Sequence, residues 1–413
     1  MTESVKVMPA LNSLKIKASL IVTMAIIATI RLTYEFNRLL WQTDENGAID
    51  LKQRYEEVTA WFSSQLIYSE IFTAVYPPAS YLMLRPFLDY KSFTYVRFFW
   101  AMTTVFALAG LVIGLIQAAQ AKRPAEYALI ALTVGAAYST GPAVGNGQLT
   151  VHVLAALTIG LLLLFKKHQT LYLDLAGSSL IIFALIKPTL AAPFVWLIVF
   201  IPQRIWPIAL VVVGYAAIAL LACIPQTGNV LTLYADWLHR GVGGTTWSSA
   251  GGGGVGLVDI GYGNLHNYLG ALGLSHLNMA ASLGLLCLLG GWIYCHRHQQ
   301  FDPWLAVGIA AIVARLWTYH LVYDDMLILL PMAAVYRLQK YPHLEPSDRA
   351  FSQTLLAITL FFNLLPASLR FAASPLDIVF QVGVTLNWLT LMGWLLVQVH
   401  RWKLPQPAPL NLT

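Results

Sequence analysis

Residues 99–117 read FWAMTTVFALAGLVIGLIQ, a stretch without a single charged side chain. As an α-helix it would be about 28 Å long, close to the ~30 Å hydrocarbon core of a bilayer. Residues 304–317, WLAVGIAAIVARLW, read the same way apart from Arg315. A water-exposed globule would have to hide both stretches almost completely. The whole chain follows them: 413 residues, 58% hydrophobic and only 11% charged, with a mean hydropathy of +0.65. A soluble chain of this length would form two or three domains, but its surface would carry more charge. The fold class read from composition is therefore an all-α polytopic membrane protein. The 25 Lys and Arg against 19 acids give +6. These cations sit between apolar segments, where they report orientation rather than nucleic-acid binding. Cys223, Cys287 and Cys295 form no CxxC pair and indicate neither a disulfide framework nor a zinc site.

Apolar runs fall near 18–41, 71–88, 93–119, 125–142, 149–165, 172–202, 205–225, 277–295, 303–320, 325–339, 351–371 and 376–399, about twelve membrane helices in a single integral domain. The first follows Lys6, Lys15 and Lys17, continues into Arg31 and Arg38 and shows no A-x-A-like site, so it is expected to stay as an anchor. Basic residues before Ala18, at Arg204, around Arg297, at Arg337 and Lys340, and at Arg401 and Lys403 mark cytoplasmic ends and place both termini in the cytoplasm. Lys122-Arg123 and Lys166-Lys167 fall outside if every run crosses once. They fall inside if 71–88 dips without crossing and 172–202 folds back at Lys187-Pro188. Either topology leaves two polar segments outside, residues 42–75 and 226–276. The first holds six of the nineteen acids (Asp44, Glu45, Asp50, Glu56, Glu57, Glu70), and Tyr55 to Ile67 reads as an amphipathic helix lying along the membrane interface. The second contains Gly251 to Gly254 among Gly, Ser, Thr and Asn, a composition expected to be mobile. It lacks the Lys-Ser/Thr context of a phosphate loop.

Charges inside apolar runs cost about 2.5–3.5 kcal/mol each on insertion scales, so each needs a partner or a wet cavity. Arg31, Glu35 and Arg38 share one helical face. They either form a self-satisfied ion pair or leave one arginine facing an anionic ligand. Lys187 precedes Pro188 in the middle of an apolar run with no acid nearby in sequence, which favours ligand binding. Arg315 and His320 stand just before Asp324 and Asp325. Asp50 opens the amphipathic helix after Gly47-Ala48-Ile49; a carboxylate fixed at that depth can deprotonate an acceptor hydroxyl.

Asp50-Leu51 with Tyr55 and Leu66-Ile67-Tyr68, Tyr76-Pro77-Pro78 with Leu84-Arg85-Pro86, Gly147-Gln148-Leu149, Lys187-Pro188-Thr189-Leu190, and Tyr319-His320 with Asp324 together resemble glycosyltransferase family 87 of the GT-C superfamily. That group uses polyprenyl-phosphate sugars and includes bacterial α-mannosyltransferases. The matches run from Asp50 to about Pro331. Asp44, Glu45 and the Gly-rich second loop depart from the pattern. The resemblance implies a GT-C-type fold in a bacterial cytoplasmic membrane. It also implies inverting transfer of a hexose such as mannose from a polyprenyl-phosphate donor to a lipid or glycan acceptor, on the extracytoplasmic side. Asp50 would be the base. Lys187, Arg315 and His320 would bind the leaving phosphate, with Arg31 and Arg38 in reserve. Tyr76, Gln148 and Asp324 would bind sugar or acceptor. No cofactor is called for; a divalent metal stays open, although a second acid cluster fit for a metal cage is not evident. Two other readings compete. One is a lipid-linked saccharide transporter or flippase, which often shows paired broken helices in repeated halves. The other is a lipid-linked polymer synthase differing mainly in its acceptor.

Overall fold

The computed structural model describes residues 7–401 except 45, 72, 203, 251–263 and 300. Among the described residues all regular structure is helical. The helices are α1 Val7–Trp41, α2 Ile49–Phe62, α3 Ile67–Glu70, α4 Pro78–Leu88, α5 Phe93–Ala118, α6 Pro124–Ala136, α7 Thr140–Gly145, α8 Thr150–Leu164 and α9 Leu171–Ala184. They continue as α10 Pro188–Phe200, α11 Ile205–Cys223, α12 Val230–Ala250, α13 Leu265–Ala271, α14 Asn278–His296, α15 Pro303–Leu316, α16 Leu329–Leu338, α17 Pro346–Leu364 and α18 Leu376–Arg401. Short 3-10 turns cover Ser275–Leu277, Val322–Ile328 and Ala367–Phe371. Proline stands at the start of α4, α6, α10, α15 and α17, where its fixed φ suits the helix and its missing N–H costs nothing.

Among the described residues five segments are long and apolar enough to cross a membrane: Ala18–Trp41, Phe93–Ala118, Ile205–Cys223, Ser275–His296 and Leu376–Arg401. The remaining apolar runs of the sequence contain shorter helices, including Pro124–Ala136, Thr150–Leu164, Leu171–Ala184, Pro188–Phe200 and Pro303–Leu316. The runs are continuous in hydropathy, but the backbone breaks inside them. The run at 172–202 is two helices, because Pro188 supplies no N–H and keeps Lys187 (φ −121°, ψ 81°) out of the α region.

Contacts tell which helix ends lie together. Arg204, just before α11, pairs with Asp174 at the start of α9 (2.7 Å) and donates to the Leu164 carbonyl at the end of α8 (3.2 Å). The chain therefore goes in along α9, turns at residues 185–187 and comes back along α10. Arg337 and Tyr341 both reach Asp302, so α15 and α16 form a second such hairpin. Arg337 also donates to the Ala118 carbonyl at the end of α5 (3.0 Å), and Lys340 pairs with Glu126 at the start of α6 (2.6 Å). Alongside α5, α8 places His152 by Thr103 (3.1 Å) and Thr158 by Gly114, so α6 to α8 is a third hairpin opening the same way. At the other face lie the two long polar segments. There α4 is short: Ser80 donates to the Ile186 carbonyl (2.7 Å), while Arg85 stacks over Phe62 and the Tyr90 carbonyl accepts from Tyr55 (3.1 Å), which keeps α4 beside α2. Of the two topologies open in sequence, these contacts agree with the one in which 71–88 dips and 172–202 folds back.

The amphipathic helix of the first polar segment runs over Ile49–Phe62 and packs one face into the protein. Val58 and Trp61 of α2 are buried, with Trp61 stacked on Tyr81 and its indole donating to the Ala222 carbonyl (2.8 Å). Its buried face also carries Arg54 and Glu57, charges that only a protein partner satisfies. The second polar segment, expected to be loop, begins with α12. Trp237 donates to the Val75 carbonyl (3.0 Å) and Arg240 to the Tyr68 carbonyl (2.9 Å), fastening it onto the first. Gly251 to Gly254 lie outside the described residues.

Candidate functional site

The tips of the three hairpins meet beneath α2. Lys187, at the turn between α9 and α10, places Nζ 2.6 Å from Asp324 Oδ1 and 3.3 Å from the Thr150 hydroxyl, and 4.8 Å from the centroid of the Tyr323 ring. Thr150 begins α8 and donates to the same Asp324 oxygen (2.8 Å). The other oxygen, Oδ2, accepts from His320 Nδ1 (3.1 Å) and from the Leu321 amide (3.4 Å). Next to this, Arg315 at the end of α15 pairs through Nε with Asp325, which also accepts from the Tyr138 hydroxyl (2.6 Å). Lys187, Arg315, His320, Asp324 and Asp325 are all buried. Lys187 is thus no lone cation; its partner lies far along the chain, where no local reading of sequence finds it.

Asp50 reaches the cluster from above, in the first turn of α2, and interacts electrostatically with Arg54 and Lys187. The side chains of Gln148 and Asn146 lie close enough to favour its charged form, and its Oδ2 is buried with no hydrogen-bond partner. Burial pushes this carboxyl above its ordinary value, against those side chains and nearby cations. One turn on, Arg54 lies over the Tyr76 ring (4.5 Å) and pairs with Glu57 (2.7 Å). Glu57 is wholly buried and also accepts from Thr73 (2.9 Å). Burial outweighs the Arg54 pair and these hydrogen bonds and raises Glu57 to about 7. Tyr76 itself interacts with Lys187, Arg54, Asp324 and Asp50, which puts it among the four.

The residues singled out in sequence therefore divide. Asp50, Lys187, Asp324, His320, Tyr76 and Gln148 come together, and Arg315 adjoins them through the neighbouring Asp325. Arg31 and Arg38 are held elsewhere: Arg31 donates to the Ala136 carbonyl, and Arg38 pairs with Glu35 (3.2 Å) and donates to Asn146. Sequence reading missed Arg54, Glu57, Thr150, Tyr138, Asn146 and Tyr323. One signal was present: Asp50, Arg54 and Glu57 recur at helical spacing on one face of α2. Among the described residues no group of three or more His, Cys, Asp or Glu is arranged to hold a metal ion.

The arrangement leaves certain buried atoms unpaired. Each cation spends one edge on its carboxylate: Arg54 Nη1, Arg315 Nη1 and His320 Nε2 have no partner. The N-termini of α8 and α10, which open at Thr150 and Pro188, add positive dipole ends at the same place. Three basic side chains thus each keep a buried nitrogen uncommitted, and Asp50 keeps a buried oxygen uncommitted. Among the described residues the chain is thus all-helical, with five helical segments long and apolar enough to span a bilayer and a buried polar centre where its broken helices meet. No protein-family model, no curated protein and no solved structure matches it.

Proposed function

We propose that this chain is an integral membrane glycosyltransferase of GT-C type. It would move a sugar, a hexose such as mannose, from a polyprenyl-phosphate donor to an acceptor hydroxyl, with inversion. The observation that supports the reading is Asp50, whose Oδ2 is buried and unpartnered, within electrostatic reach of Lys187, which Asp324 joins to His320 and the neighbouring Asp325 to Arg315. Inverting transfer from a phosphate needs one base on the acceptor side and cations on the leaving side; the phosphate leaves without a protonated carboxyl. In this reading Asp50 Oδ2 takes the acceptor proton as the hydroxyl attacks the anomeric carbon. Arg315 Nη1, His320 Nε2 and Lys187 stabilise the departing phosphate, together with Arg54 Nη1. Tyr76 and Gln148 line the space for sugar or acceptor. Asp324 orients Lys187 and His320 rather than touching sugar, because both its oxygens are already engaged. Arg31 and Arg38 hold the fold. The face carrying residues 42–75 is the extracytoplasmic one in a bacterial cytoplasmic membrane, with both termini inside. Traversing helices α1, α5, α11, α14, α17 and α18, with three hairpins between them, account for the apolar runs.

A saccharide transporter is the second reading, favoured by the meeting of broken helices at a buried site. The test uses purified protein in lipid nanodiscs and in sealed vesicles, given radiolabelled polyprenyl-phosphate mannose or glucose and total membrane lipid as acceptor. A new glycosidic product, lost in Asp50→Asn with thermal stability retained, supports transfer. Labelled sugar crossing the vesicle with no new bond supports transport and overturns the proposal.

A further inference from the structure

We propose that the cleft between α5, α6, α16 and α17 binds one anionic phospholipid, with its phosphate at a basic mouth and an acyl chain along an apolar wall. This cleft shares no residue with the Asp50 cluster and needs no glycosyl transfer.

The cleft encloses about 230 Å³. Its wall is aliphatic, with Leu115 from α5, Ile130 from α6, Leu329 and Ala333 from α16, and Leu360 from α17. Its polar groups gather at one end, where α16 finishes with Tyr336 and Gln339 and α17 contributes Gln353. Thr133, deeper in, spends its hydroxyl on the Leu129 carbonyl (2.7 Å). Between Gln339 and Leu329 the helix rises about 15 Å, half of the ~30 Å hydrocarbon core and so the depth of one leaflet. Gln353 and Ala357 are exposed, so the cleft opens to the outside of the protein beside them.

The polar end carries a positive excess. Glu126 is taken by Lys340 (2.6 Å) and by the amides of Lys122 (2.7 Å) and Arg123 (3.3 Å), which leaves the Lys122 and Arg123 side chains without that acid. Arg349 stands one turn before Gln353 on the same face of α17. Its Nη2 donates to the Tyr341 carbonyl (3.2 Å), but its Nε is buried without a partner. Asp348 turns away to Arg401 (3.6 Å) and Gln398 (3.3 Å). Lys122, Arg123, Lys340 and Arg349 are thus four cations against the two acids Glu126 and Glu345. Just inside them, Gln339 Nε2 is buried with no hydrogen-bond partner. Cations at the mouth, an amide N–H one step in, and a leaflet's depth of aliphatic wall repeat the order phosphate, ester carbonyl, acyl chain. A neutral lipid would match the wall and leave the charges unmet.

The test titrates purified protein in detergent with phosphatidylglycerol or with phosphatidylcholine of the same acyl chains, and counts bound lipid by native mass spectrometry. The unaltered chain should bind one phosphatidylglycerol at least about fivefold more tightly than phosphatidylcholine, the effect of a single cation near an anionic headgroup. Lys122→Gln with Arg123→Gln should weaken phosphatidylglycerol by about fivefold per cation and leave phosphatidylcholine unchanged. Ala357→Trp, which fills the opening, should abolish the tight site. Equal affinity for the two lipids, unchanged phosphatidylglycerol binding in Ala357→Trp, or charge variants that weaken both lipids alike overturns the proposal. Displacement of phosphatidylglycerol by polyprenyl phosphate, one for one, overturns it as well, since the cleft would then belong to the sugar donor. Should Ala357→Trp not fold, the pair Lys122→Gln and Arg123→Gln, both on exposed residues, carries the test. No sugar enters this experiment, so its failure is distinct from a failure of glycosyl transfer.

Discussion

Removing either partner of the Lys187–Asp324 pair separates two roles that the structure gives the pair. Both side chains are buried, 2.6 Å apart, at the junction of three hairpins. Truncating one partner of a buried pair typically costs about 3–5 kcal/mol, because the other is left as an uncompensated charge. The two truncations are not equivalent here. In Lys187→Met, Asp324 keeps Thr150, His320 and the Leu321 amide, so the cost should lie near the lower limit, about 3 kcal/mol. In Asp324→Asn, Lys187 keeps the Thr150 hydroxyl at 3.3 Å, the Tyr323 ring and the Asp50 carboxylate without a direct ion pair, and the cost should approach about 5 kcal/mol. The double variant removes both charges. It should lose about 4 kcal/mol rather than the sum of about 8, because neither ion is left stranded. The assay is reversible unfolding in mixed micelles with increasing denaturing detergent, which needs no substrate. Effects that add to within about 0.5 kcal/mol would mean that the two charges do not interact, and the geometry at the hairpin tips would be wrong.

Glu57 gives a pH prediction. Its folded-state value of about 7 lies above the ordinary 4.5, so the folded chain keeps a proton between those values that the unfolded chain has released. Stability should therefore fall as pH rises from 4.5 to 7, by about 3 kcal/mol in all, and Glu57→Gln should remove that slope from the pH–stability curve. Gly147→Ala places a Cβ 2.6 Å from Leu51 at positive φ and should cost about 1–3 kcal/mol; a neutral effect in thermal unfolding would contradict the contact. Arg54→Gln should weaken binding of a polyprenyl-phosphate sugar about tenfold or more in a nanodisc binding assay, the usual cost of about 1.5–3 kcal/mol for a hydrogen bond to a charged group; unchanged affinity would remove Arg54 from the anion site. Trp237→Ala should free α12 from the Val75 carbonyl and speed proteolysis within residues 230–250, leaving the rest of the chain intact on a gel.

What sequence could disclose follows the range of the interactions. Hydropathy is local, and it located every apolar helix. Proline is local too, and it located the break at Lys187. Whether a run crosses, dips or returns depends on partners far away: Asp174 with Arg204, Asp302 with Arg337. No window of residues holds that information. The same holds for the charges. Glu35 and Arg38 pair within one turn and were legible as a pair. Lys187 looked unpartnered because its acid is 137 positions on. Arg54 and Glu57 looked like solvated charges on an amphipathic helix, since polar residues on such a helix usually face water. Here they face inward because α4 and residues 71–77 cover them, supplying the Thr73 hydroxyl and the Tyr76 ring.

The charges around Asp50 constrain how any anion enters. Three cations, Arg54, Lys187 and Arg315, each already face one acid: Glu57, Asp324 and Asp325. Asp50 is the acid left over. Summed formally, the unliganded cluster has no spare positive charge to meet a phosphate, so counting cations alone would argue against the proposed donor. Direction and protonation resolve this. Each guanidinium meets its carboxylate along one edge, and the unpartnered Nη1 of Arg54 and of Arg315 lies on another, so a phosphate can bond either without displacing its acid. The acids also respond: Glu57 sits near neutrality and Asp50 is raised by burial. An incoming negative charge raises both further, and one takes up a proton. If that acid is Glu57, Asp50 stays ionised to act as base and Arg54 is freed toward the phosphate. If it is Asp50, the base is disabled as the donor binds. Gln148, Arg54, Asn146 and Lys187 favour the charged form of Asp50, and Glu57, wholly buried and raised to about 7, is the acid disposed to take the proton.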